Sequence, residues 1–150
     1  MNKTVLTRLF LIIAVGAFAF AALPQAASAQ SASNMSPVRI EFDKQGGVAG
    51  IWHGMVGGDV TGDLTTQLTS AHQTGQILHV TFDWIIDAGA QSFTAELEGT
   101  LNLQTGAVVM NGTVVEGWLV GARVHEEGQL VDPATGRFQG RILIFPATAD

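Results

Sequence analysis

The residues with chemistry to offer fall mostly on two neighbouring segments of alternating polarity. From Ile77 to Ile86, His79, Thr81 and Asp83 share one face. From Phe93 to Leu103, Thr94, Glu96, Glu98, Thr100 and Asn102 do the same. Glu96 and Glu98 are two apart on an extended chain, so their side chains stand about 7 Å apart. On a cavity wall two such carboxylates can divide acid and base roles, one of them with a raised pKa. His79 and Asp83 are about 13 Å apart along a strand, too far to hydrogen-bond each other. If the two segments pair as a hairpin, either one can approach Glu96 or Glu98 across the ladder. A cluster of His79, Thr81, Asp83, Glu96 and Glu98 would equally make the solvent-facing side of that hairpin.

Other chemistries find no support in spacing. His53, His72, His79 and His125 form no H-x-H or H-x-x-x-H pair, so no metal site is expected. Asp59 and Asp63 lie in a Gly- and Asp-rich stretch that lacks the order of a calcium loop, and a turn explains them. There is no G-x-S-x-G, no phosphate-binding glycine loop and no dinucleotide fingerprint, so no catalytic residue and no cofactor is assigned. The absence of cysteine excludes thiol catalysis and Cys-based metal sites. Three tryptophans remain as candidate ligand contacts. Trp84 lies on an apolar strand face, whereas Trp52, among Gly50, His53 and Gly54, and Trp118, after Gly117, have small neighbours that leave room for a ring.

The elements that must position these residues begin after an N-terminal leader. Lys3 and Arg8 precede an apolar run from Leu9 to Leu23, and Pro24 is followed by Ala27-Ser28-Ala29. This is the order of a secretory signal peptide, and the run is shorter than the roughly 20 residues of a membrane-spanning helix. Cleavage after Ala29 would leave a chain from Gln30 to Asp150, secreted or periplasmic, without a membrane anchor. That chain carries five basic against thirteen acidic residues, a net charge of −8 that disfavours nucleic acid and anionic membrane surfaces as partners. Residues 30–36 are small and polar and read as a disordered lead into a single domain over 37–150.

Within the domain the two-residue period dominates. Leu78, Val80, Phe82, Trp84 and Ile86 share one face, as do Phe93, Ala95, Leu97, Gly99, Leu101 and Leu103. Weaker strand patterns cover Val38–Phe42, Val48–Met55, Asp59–Ser70, Ala107–Val115, Gly117–His125 and Arg137–Phe145. Turn signals fall at Lys44-Gln45-Gly46-Gly47, Gln104-Thr105-Gly106, Glu126-Glu127-Gly128 and Asp132–Gly136. About eight sequential strands make an all-β fold, and rolling them closed removes two exposed edges. Gly99, Gly112, Gly117, Gly121 and Gly140 suit the strong coiling of a small barrel, with a β-sandwich as the alternative. In strand number and glycine placement over residues 38–145 the chain resembles the small exported barrels of the calycin and allene-oxide-cyclase/dirigent type, which implies a cavity and no particular activity.

Three functions fit such a domain. It could bind a small apolar ligand in its interior, with Trp52, Trp84, Trp118, His79, Asp83, Glu96 and Glu98 as candidate contacts. It could be a structural or assembly protein with a filled core. It could be a barrel isomerase, cyclase or hydrolase using His and carboxylates. The long apolar faces make an apolar core easy and favour the binding and structural readings over the enzyme; binding ranks first, structural second and enzyme third. The oligomeric state is left open.

Overall fold

Strand-forming alternation accounts for nearly the whole domain in the computed structural model, which describes residues 36–147. The expected signal peptide, residues 1–29, and most of the polar lead lie outside the described residues. Eight strands follow in order: β1 Val38–Gly46, β2 Ile51–Gly58, β3 Gly62–Thr74, β4 Ile77–Asp87, β5 Phe93–Asn102, β6 Ala107–Gly117, β7 Arg123–Asp132 and β8 Arg137–Phe145. Each pairs antiparallel with the next, and β1 pairs with β8 from Val38 opposite Ile144 to Lys44 opposite Phe138. That last ladder closes the barrel and rules out the sandwich.

The period of two decides what is inside. Ile40 and Phe42, Leu64, then Val80, Phe82, Trp84 and Ile86 point inward. So do Phe93, Ala95, Leu97, Val108, Met110, Val124, Ile142 and Ile144. The barrel needs close backbone approach where the sheet coils, and glycine supplies it. A Cβ on Gly112 would sit 1.8 Å from the Glu96 carbonyl oxygen. One on Gly140 would meet the Glu127 carbonyl oxygen at 2.2 Å and the Phe42 ring at 2.8 Å.

The two ends differ. One holds the connections 59–61, 88–92 and 118–122 and is plugged by Val60, Phe93, Val114 and Ala122, with Trp118 and Leu119 packed against them. The other, the mouth, holds the β1–β2, β3–β4, β5–β6 and β7–β8 connections. There the inward positions are Trp52, Leu68, Leu78, Leu101 and Phe138, all only partly buried. A register shift between Leu68 and Ser70 precedes the long β3–β4 hairpin, whose tip over residues 70–76 is exposed.

Two connections depart from the expected turns. Lys44 and Gln45 continue β1 to Gly46, and the chain turns over 47–50 instead, with Gly47 and Gly50 at positive φ. Glu126-Glu127-Gly128 is the middle of β7, and the turn before it falls at Trp118–Ala122, where Leu119 (φ 61) and Gly121 (φ 86) take the left-handed conformation. Gly128 has no positive φ and stays extended. It is glycine because a Cβ would press on the Phe42 ring at 3.1 Å.

Candidate functional site

Those two departures carry ionisable groups into the core. Lys44 is the third inward position of β1 after Ile40 and Phe42, and its side chain is 4% exposed. Glu126 follows Val124 on the inward face of β7 and is 1% exposed. Thr66, between Leu64 and Leu68 on β3, is fully buried. Among the described residues these three are the only buried polar or charged side chains.

Lys44 stands in a box of aromatic rings. Its Nζ lies 4.0 Å from the centre of the Trp84 ring, 5.1 Å from Phe82, 5.5 Å from Phe42 and 5.9 Å from Phe138. The ring quadrupoles attract its charge. Its hydrogen bond goes to Thr66 Oγ1 at 3.3 Å. The rings brace one another, with Phe42 edge-on to Trp84 at 5.0 Å and Trp52 edge-on to Phe82 at 5.3 Å. Trp52 is anchored at the mouth by its Nε1, which donates to the Gly136 carbonyl at 3.1 Å.

Glu126 faces the same space without touching Lys44. The ion pairs among the described residues are His125–Glu127, Arg137–Asp43 and Arg141–Glu127, all outward-facing, and more than 4.0 Å separates Lys44 Nζ from the Glu126 carboxyl oxygens. Glu126 Oε2 and Trp84 Nε1 are buried with no hydrogen-bond partner. Burial holds the Lys44 ammonium down at a pKa of about 8, against a smaller upward pull from Glu126. Burial lifts the Glu126 carboxyl to about 7, against a smaller downward pull from Lys44. Desolvation thus outweighs attraction on both groups, as expected for two charges that share a core without meeting.

Both residues line a cavity of about 90 Å³, with Phe82, Met110 and Val108 within and Trp52, Leu68, Leu78, Leu101 and Phe138 toward the mouth. A volume of this size matches about three waters, or the first few heavy atoms of an organic molecule. An apolar core would be the more stable filling. A buried ion pair is often replaceable by hydrophobic residues at no loss, and each unmet polar atom costs about 1–3 kcal/mol. A buried carboxyl oxygen without a partner and a buried lysine at one open-ended cavity mark it as the chemically distinctive place in the molecule.

The seven residues singled out from the sequence separate by face. Trp84 floors the aromatic box, Trp52 forms part of the cavity wall, and Trp118 packs against Phe93 at the opposite, plugged end. His79, Asp83, Glu96 and Glu98 lie on the outer face. The expected hairpin pairing holds, with Asp83 opposite Glu96, Thr81 opposite Glu98 and His79 opposite Thr100, but the cluster faces away from the cavity. Glu96 and Glu98 flank a shallow outer groove with Thr81, Asn111 and Thr113. Lys44, Thr66 and Glu126 were missed because two of them sit beside glycines in stretches that read as turns. One signal could have found them: each is a polar residue in phase with the apolar positions of its strand. No protein-family model, curated protein or solved structure matches the chain, so its function is argued from this site alone.

Proposed function

We propose that the chain is an exported binding barrel that takes the polar head of a small apolar ligand into its mouth. The observation that carries this reading is the cavity lined by both Lys44 and Glu126, with the buried Glu126 Oε2 lacking a partner. A head group carrying a hydroxyl or carbonyl oxygen would supply a hydrogen-bond partner to the Glu126 carboxyl, and its removal from water would be offset by that bond. The cavity takes only the first few atoms. The rest of a short chain would lie along Trp52, Leu68, Leu78, Leu101 and Phe138, whose partly exposed apolar surface lines the way in. Export is supported by the leader-like order of residues 1–29.

The test is native mass spectrometry of the protein purified without denaturation, followed by titration with hexan-1-ol, hexanoate and hexylamine under tryptophan fluorescence. The expected result is a mass excess lost on unfolding, or saturable quenching by at least one probe that Trp52→Ala weakens. A bare mass together with no saturable response to any of the three would overturn the reading.

A further inference from the structure

The site just described holds a primary amine in apolar surroundings beside a carboxyl group it does not contact. We infer that Lys44 is the nucleophile of a covalent carbonyl site, condensing with a small apolar aldehyde that enters through the mouth, with Glu126 as the proton donor that expels water. The inference rests on the binding reading and adds to it the class of ligand and the bond formed.

The geometry suits each part. Lys44 is one of the residues that line the cavity, and its Nζ donates to a neutral hydroxyl, Thr66 Oγ1, rather than to a carboxylate that would keep it protonated. The rings of Phe42, Phe82, Trp84 and Phe138 stabilise a cation at that point, whether ammonium or iminium. Desolvation favours the neutral amine, the form that attacks. Glu126 lines the same cavity, and its carboxyl oxygens lie more than 4.0 Å from Lys44 Nζ, so the two groups are not tied up in an ion pair.

The step balances without an outside oxidant or reductant. The amine lone pair attacks the carbonyl carbon, the C=O π pair moves to oxygen, and a proton passes from nitrogen to that oxygen to give a carbinolamine. The Glu126 carboxylic acid then protonates the hydroxyl. Water leaves as the nitrogen lone pair forms C=N. Amine, aldehyde and carboxylic acid become iminium, carboxylate and water, and the carboxylate is the counter-ion of the new cation.

The sequence makes the test clean, because the chain has two lysines, Lys3 and Lys44, and Lys3 lies in the leader. The full chain is incubated with hexanal and cyanoborohydride, and the reduced N-hexyl adduct is located by peptide mapping. The adduct is expected on Lys44 at least ten-fold faster than on Lys3 or the α-amine, with hexan-1-ol as a competitor. Lys44→Arg should abolish the internal adduct, and Glu126→Gln, which keeps the shape and the fold, should slow it at least ten-fold. Adducts confined to Lys3 or the α-amine would overturn the inference, as would an unchanged rate in Glu126→Gln. If hexan-1-ol still binds saturably while Lys44 stays unmodified, the covalent step falls and the binding barrel stands. If hexan-1-ol does not bind and Lys44 is unmodified, both fall.

Discussion

The buried pair should write itself into the pH dependence of stability, and the composition makes that dependence readable. Lys44 has its pKa lowered from 10.5 to about 8, so between those values the unfolded chain binds the extra proton. Stability therefore rises with pH across that window, by about 3 kcal/mol for a shift of this size at about 1.4 kcal/mol per unit. Glu126 is raised from 4.5 to about 7, so there the folded chain binds the extra proton and stability falls with rising pH, again by about 3 kcal/mol. The result is a trough between pH 7 and 8, with shoulders near pH 4.5 and above pH 10. The chain has no tyrosine and no cysteine, and its other lysine is Lys3, so little else titrates on the alkaline limb. No other ionisable group lines the cavity. The assay is urea unfolding followed by tryptophan fluorescence from pH 4.5 to 10.5. The double variant Lys44→Met, Glu126→Leu should flatten both limbs and gain about 1–4 kcal/mol at pH 7.5, as hydrophobic replacement of buried ion pairs often does. A flat wild-type profile, or an alkaline limb that survives in the double variant, would refute the reasoning.

Other consequences separate the interior from the outer face. Glu96→Gln, Glu98→Gln and His79→Ala should each move unfolding free energy by less than about 0.5 kcal/mol and leave hexan-1-ol binding unchanged, since all three side chains face solvent. Gly112→Ala should destabilise by about 3 kcal/mol or prevent folding, because its Cβ would lie 1.8 Å from a carbonyl oxygen; circular dichroism and urea midpoints check this. Trp52→Ala, which removes half-buried ring contacts and the bond to Gly136, should cost about 2–3 kcal/mol in the same urea assay. Below pH 4 the barrel should lose stability as Asp43 is protonated, because hydrogen bonds from Arg137 and Gln139 hold its carboxyl down at about 2. Arg137→Ala should shrink that acid loss, because the Asp43 carboxyl then titrates nearer its unfolded value.

The fold was legible where local pattern and tertiary role agree. The alternations at Ile77–Ile86 and Phe93–Leu101 became β4 and β5 with the expected faces, because one side of each strand packs in a continuous core, while Leu103, expected on the same face, lies past β5 and is exposed. Arg137–Phe145 matched β8 end to end. The site was not legible in the same way. Lys44 precedes Gln45-Gly46-Gly47, and Glu126 precedes Glu127-Gly128, and both stretches have turn composition. In the barrel, Gly128 and Gly140 serve inter-strand packing around Phe42 rather than chain reversal, so a turn signal sits inside a ladder. Glu126 then reads as a surface acid, although its phase with Val124 places it inside. Burial of a charged side chain is a tertiary fact that local polarity opposes, and only the strand phase of its neighbours hints at it.

The account turns on whether the interior mouth, rather than the outer groove, is where a ligand goes. Backbone amide NMR shifts during titration with hexan-1-ol decide this directly. The account predicts saturable shifts concentrated at Trp52, Leu68, Leu78, Leu101 and Phe138 and reaching Lys44 and Glu126, all abolished in the Lys44→Met, Glu126→Leu variant. Shifts concentrated instead at Thr81, Glu96, Glu98 and Thr113, with the mouth silent, would contradict it.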